Sequence, residues 1–229
     1  MFKKVVPIME NRHKDLKLKP IDNFDFAKNL NIASIMVHEF SKVSPIYPIL
    51  FLEDKENDSF KPVCLLGLKE GENLFVKDGK WQASYIPAII RRYPFALSKT
   101  EEDDTYLICI DEESEFLDKK DGEPFFNKDG STGEVIEKIK AYLTELQQME
   151  KFTNDFCKVI KEYKLFTPLN INIKSGNEVK NINGAFMINE EKFNKLSNAK
   201  FLDLRKKQYI PAIYAHLNSL AQIERLAML

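Results

Sequence analysis

Glycine, histidine and cysteine are all scarce in this 229-residue chain, at 8, 3 and 3 residues. Each scarcity excludes something. No Gly-x-Gly-x-x-Gly run and no phosphate-loop signature occurs, which argues against nucleotide binding through either motif. The histidines are His13, His38 and His216. His38-Glu39 begins like a zinc-protease motif, but the second histidine must follow four residues after the first, and that place is Lys42. The cysteines Cys64, Cys109 and Cys157 are far apart and odd in number, so no disulfide framework is expected. Cys64 and Cys109 sit in apolar runs, where buried thiols are ordinary. Reduced thiols imply a cytoplasmic home.

Net charge is lacking too. Lys plus Arg is 34 and Asp plus Glu is 35, a balance of -1. A nucleic-acid binder usually carries a basic excess, so none is expected as a partner. No apolar run approaches the roughly 18 residues of a membrane span. The N-terminal MFKKVVPIMENRHKD has too short an apolar stretch for a secretory signal. No metal or cofactor is implied by any motif.

What is present is hydrophobic patterning, with 44% apolar residues. It reads as strands first and helices later. Residues 17–19 suit a short strand, and 24–31 are ambiguous. Residues 32–40 (IASIMVHEF) suit a strand or a buried helix, since periodicity does not separate the two. Strands are expected at 49–52, 63–68, 73–77, 80–85 and 106–110, with a polar loop at 53–61. Asp78-Gly79 between two apolar stretches signals a tight hairpin, because a type I′ turn needs positive φ at both central positions. Pro87 suits a helix start at 88–93, and Pro94 ends it. Residues 117–130 read as a loop with two Asp-Gly turns.

Ser131 and Glu134 fit a capping box that opens a long helix. Val135, Ile139, Tyr142, Leu146, Met149, Phe152, Phe156, Ile160 and Tyr163 then recur every three or four residues. That stripe runs for roughly 45 Å at 1.5 Å per residue. Strands are expected at 169–173 and 179–188, with a turn at 175–177. Asn189 opens a second capping pattern, and helices are expected at 190–196, 200–206 and 209–228. The fold class expected is α+β: one domain over 1–229, β-rich over about 1–130 and mostly helical over about 131–229.

Among candidate chemistries the Arg91-Arg92 pair weighs most. Two guanidiniums near a short helix suit a carboxylate or phosphate held bidentately. Trp81, Tyr85 and Tyr93 are close in sequence and suit the walls of a pocket. Against this stands the reading of a solvated surface pair, or of one arginine in an internal ion pair. His216 and Ser219 share a helical face, yet no acid is placed to orient the histidine, and a packing histidine that hydrogen-bonds locally is the simpler reading. Asp118, Lys120, Gly122 and Glu123 lack the alternating ligands of a calcium loop and read as a solvated turn. Ile213, Leu217, Leu220, Ile223 and Leu226 lie at helical spacing, as a core face or as a partner-binding face.

Several segments together resemble the SapC family. They are FDFA (24–27), YPILF (47–51), LLGLKEGENLFVKDGKWQASYIPAIIRRYPFAL (65–97), NGAFMINEEKFNKL (183–196) and IYAHLNSLAQIERL (213–226). The likeness covers nearly the whole chain in order. It implies a bacterial, non-secreted, single-domain protein, with a genetic context of surface-layer proteins. It implies no reaction, so no catalytic residue is carried over.

Three functional expectations follow. The first is a non-enzymatic accessory or binding protein for bacterial surface-layer or secretion systems, acting through protein or peptide contacts. The second is an enzyme or small-molecule binder with an anion pocket at Trp81, Tyr85, Arg91, Arg92 and Tyr93. There Glu39, His38 or a tyrosine would carry acid–base work. The third is self-association through the helix at 131–163.

Overall fold

The computed structural model describes residues 1–100, 106–175 and 178–229. In chain order these form β1 (Val5–Pro7), α1 (Glu10–His13), β2 (Lys17–Leu18), β3 (Ile32–Ser34), α2 (Phe40–Val43), β4 (Ile49–Asp54) and β5 (Ser59–Leu65). Next come β6 (Val76–Lys77), β7 (Lys80–Trp81), α3 (Ala88–Arg91), β8 (Phe95–Lys99), β9 (Tyr106–Asp111), β10 (Leu117–Asp118) and β11 (Glu123–Pro124). The long helix α4 (Glu134–Glu162) precedes β12 (Phe166–Ser175) and β13 (Glu178–Ile188). The chain closes with α5 (Glu190–Asn194), α6 (Asn198–Lys206), α7 (Ile210–Ser219) and α8 (Gln222–Met228). The fold is α+β, with sheets throughout the first half and the long helix with its successors in the second.

The main sheet is antiparallel with strand order β12-β13-β4-β5-β3. A second sheet has order β1-β9-β8, and a third has order β10-β2-β11. Helix α4, about 44 Å long at 1.5 Å per residue, packs on β5 and reaches β8 and β11. Its apolar stripe is used twice. Phe156, Cys157 and Ile160 join the large core over the main sheet, with Phe40, Phe51 and Leu66. Val135, Ile136, Leu143 and Leu146 join a smaller core with Phe95, Ile110 and Phe125. The stripe that suggested self-association is therefore occupied inside the molecule.

His216 pins the main sheet to α7. Its Nε2 accepts the Ile188 N–H at 3.0 Å, and its Nδ1 lies 2.9 Å from the Ile49 carbonyl, to which it donates. Ser219 completes the pin by accepting the Ile49 N–H and donating to the His216 carbonyl. The ring is fully buried, so desolvation of the charged form holds its pKa down at about 4.

The structure corrects several local expectations. Helix α4 starts at Glu134 after an extended Gly133, not at Ser131. Ser131 is taken by the preceding turn, where its hydroxyl donates to Asp129 and accepts from the Asn127 amide. Gly133 fits because a Cβ there would lie 2.5 Å from the Pro124 carbonyl. Residues 32–40 are neither strand nor helix alone: β3 ends at Ser34, and a 3₁₀ turn at Val37–Glu39 leads into α2. The polar segment 53–61 is mostly the β4–β5 hairpin, closed by Asp54, which accepts from Asn57 and Lys61. The strand expected at 80–85 stops at Trp81, because the chain turns away to bring Tyr85 and Ala88 to Glu39. The strands β1 and β8 were not foreseen beside their prolines. The helix expected over 209–228 divides at Leu220 and Ala221, where i to i+3 hydrogen bonds redirect it toward the core. The Asp78-Gly79 hairpin is present, with φ of 51° and 71°. Asn189 caps α5 by accepting the Lys192 N–H. The turn expected at 175–177 falls on Gly176 and Asn177, outside the described residues.

Candidate functional site

The five residues singled out in the sequence surround α3 but do not share one pocket. Trp81 is half-buried. Its indole N–H donates to the Tyr47 hydroxyl at 2.8 Å and to the Tyr85 carbonyl at 3.2 Å. Tyr85 donates its hydroxyl to Glu39 Oε1 at 2.8 Å. Burial first, and then the Glu39 charge, push the Tyr85 phenol above its ordinary range. Tyr93 faces the other way. Its ring stacks on Phe26 at 4.2 Å between centroids, and its hydroxyl donates to Asp111 at 3.3 Å.

Glu39 organises this region. It is only 3% exposed. Its Oε1 also accepts the Ala88 N–H at 2.8 Å, and its Oε2 accepts the Met36 N–H at 2.9 Å. Ala88 opens α3, so a carboxylate here satisfies a backbone donor that a helix start leaves free. With three donors, both oxygens of the carboxylate are hydrogen-bonded.

Arg91 and Arg92 diverge because adjacent residues on a helical turn are about 100° apart. Arg91 is exposed. Its Nε donates to the Ile86 carbonyl at 3.0 Å, and its guanidinium lies over the Tyr85 and Tyr142 rings at 5.6 and 5.7 Å. Tyr142 in turn ties α4 to α3 by donating to the Ala88 carbonyl at 3.1 Å. Arg91 is thus engaged by its own neighbours while it stays open to solvent.

Arg92 closes α3, and its carbonyl accepts the Phe95 N–H at 2.7 Å. Its side chain enters a cleft of about 400 Å³ between α3, β5 and α4. That volume lies within the range of small-molecule sites. Met36, Leu143 and Leu146 supply apolar walls, and Lys61 and Glu150 line the same cleft. The Arg92 Nε is buried with no hydrogen-bond partner among the described residues. One face of the guanidinium lies 5.7 Å from the Phe2 ring. Burial lowers the Arg92 pKa from its ordinary value, with the nearby Glu150 charge acting against that trend. The group stays cationic, since a guanidinium does not deprotonate in proteins. A buried donor without an acceptor costs about 1–3 kcal/mol.

The other polar groups of the cleft differ in availability. Lys61 is already paired with Asp54 at 2.7 Å. Thr153 donates to the Met149 carbonyl and accepts the Val37 N–H. A wider groove of about 810 Å³ continues along α4 under the β4–β5 turn and shares Lys61, Glu150 and Asn154 with the cleft. There Lys161 pairs with Asp58 at 2.5 Å.

Sequence reasoning missed the α4 side of the cleft. The signal was present: Glu150 follows Leu143 and Leu146 at helical spacing and breaks the apolar face. Elsewhere, burial raises the thiols of Cys64 and Cys109 and pushes Cys157 up to about 12. His38 is exposed and packs on Phe152 at 4.8 Å between rings. Among the described residues, no three His, Cys, Asp or Glu side chains converge as metal ligands. No helix among them is long and apolar enough to cross a membrane.

The family model described as SapC matches residues 8–226 of the chain. No curated protein and no solved structure matches it.

Proposed function

The chain belongs to the SapC family, and we propose that it is a non-enzymatic binding protein that holds a small organic anion in the Arg92 cleft. In this reading it serves a bacterial surface-layer or secretion system from the cytoplasm. One observation carries the ligand: an arginine that lines a cleft with apolar walls and whose buried Nε has no acceptor among the described residues. A carboxylate seated there meets that donor and places its hydrocarbon part against Met36, Leu143 and Leu146. Charge-assisted hydrogen bonds contribute about 1.5–3 kcal/mol each. The state of the other polar groups supports binding rather than turnover. The three thiols are held protonated, His216 is bonded at both nitrogens, and both oxygens of Glu39 are hydrogen-bonded.

Native mass spectrometry and titration calorimetry with a panel of aliphatic and aromatic carboxylates test the proposal. A member of the panel binds the wild type, and Arg92→Gln weakens it by about 10- to 100-fold. Equal binding by Arg92→Gln, or a panel without a binder, rejects it.

A second reading keeps the accessory role but moves it to a protein contact. Phe201 and Leu202 on α6 and Tyr214 on α7 are exposed apolar side chains. Under this reading, Phe201→Ser with Leu202→Ser releases a protein partner that copurifies with the wild type, while Arg92→Gln retains it.

A further inference from the structure

We infer that the ligand of the Arg92 cleft is a zwitterion, an amino acid with an apolar side chain, whose ammonium group is read by Glu150. The inference rests on the anion-binding reading above and adds the second half of the ligand.

The argument starts from the charges that line the cleft. Lys61 is paired with Asp54 at 2.7 Å. Among the described residues that line the cleft, this leaves one cation and one anion without an ion pair, Arg92 and Glu150. They are close enough for Glu150 to act on the Arg92 charge, yet they form no ion pair with each other among the described residues. Two opposite charges that line one cleft without pairing fit a ligand that carries both signs. Such a ligand sets its carboxylate on Arg92 and its ammonium toward Glu150, and both charges are then matched.

The same arrangement disfavours the other anions. A phosphate or polyphosphate brings two or more negative charges to a site with one unpaired cation, and Glu150 repels the excess. A monocarboxylate satisfies Arg92 but leaves Glu150 facing its hydrocarbon part. The walls select the side chain. Met36 and Leu146 are buried and apolar, and methionine adapts to side chains of different shape. Glu150 stands where the cleft meets the wider groove along α4, since it lines both. Glu150 is itself exposed, so an ammonium group beside it keeps partial hydration while the carboxylate meets the half-buried Arg92.

The test uses matched pairs: L-leucine against 4-methylpentanoate, and L-phenylalanine against 3-phenylpropanoate. Binding to wild type, Glu150→Gln and Arg92→Gln is measured by calorimetry, and thermal melts confirm that the variants fold. At least one amino acid should bind about tenfold or more tightly than its partner without the amino group. Glu150→Gln should erase that preference without weakening the simple acid. Arg92→Gln should weaken both members of the pair. If both members bind equally and still need Arg92, the zwitterion inference falls and the anion reading stands. If neither member of either pair binds, this inference falls. The wider carboxylate panel then decides the anion reading separately.

Discussion

Glu39 and Arg92 stand at opposite ends of the same short helix. Glu39 receives the first N–H of α3, and Arg92 ends it. Both charges are drawn out of water, but their surroundings differ. Glu39 accepts three hydrogen bonds from two backbone N–H groups and one phenol. Arg92 leaves a buried Nε without an acceptor. A buried charge with every partner in place is a structural joint. A buried charge with a partner missing beside a cleft is better explained by a ligand. The difference lies in satisfaction rather than burial, and it separates two residues that the sequence placed in one candidate pocket.

The largest test of that contrast is Glu39→Ala. It strands the Met36 and Ala88 N–H groups and the Tyr85 hydroxyl, at about 1–3 kcal/mol per buried donor. A loss of about 3–5 kcal/mol in urea unfolding is expected, in line with broken buried networks. A loss below about 1 kcal/mol would put Glu39 in the same class as Arg92.

His216 extends the comparison to a group that is buried neutral. Its folded pKa of about 4 lies below the ordinary value of 6.5. The unfolded state therefore takes up the proton first as pH falls. The stability tied to this neutrality is fully present above about pH 6.5 and is lost as pH falls through about 4. The total is about 3 kcal/mol. Glu112 and Asp54, both held near pKa 2, add their own losses at lower pH. The informative quantity is therefore wild type minus His216→Gln between pH 7 and 4. A parallel pH dependence of the two proteins contradicts the assignment.

Arg92→Met reverses the sign expected for Glu39. Removing a buried donor that has no partner, and filling its space with an apolar chain, is expected to change stability by less than about 1 kcal/mol or to raise it. Carboxylate binding falls by about 10- to 100-fold in the same protein. A clear destabilisation without a binding change would make Arg92 a second structural joint.

The degree to which these features were legible follows from their range along the chain. Asp78-Gly79, the Asn189 cap and the stripe of α4 depend on nearby residues, and all three are present. His216 was legible as a packing residue because no acid stood ready to orient it. Ser131 misled because a hydroxyl three residues before a glutamate suits a capping box, while the demand of the 127–131 turn for that hydroxyl is tertiary. The cleft was half legible. The Arg91-Arg92 pair is visible in sequence, but its split depends on helical geometry. Glu150 and Leu146, which face Arg92, come from a helix far along the chain. Nothing local links Tyr93 to Asp111 or Tyr85 to Glu39, so aromatic residues close in sequence were read as one wall.

The smallest effect belongs to Arg91, and it is the sharpest control because only its direction distinguishes it from Arg92. Arg91 is exposed, bonded to the Ile86 carbonyl and laid over two tyrosine rings. Contacts of this kind at exposed sites contribute about 0.5–1 kcal/mol. Arg91→Gln should therefore cost about that much stability. It should leave carboxylate affinity within about twofold of wild type, since its side chain does not enter the cleft. Competition titrations on both arginine variants read this directly. If Arg91→Gln weakened binding as strongly as Arg92→Gln, the two guanidiniums would act as one clamp, and the division drawn from their geometry would be lost.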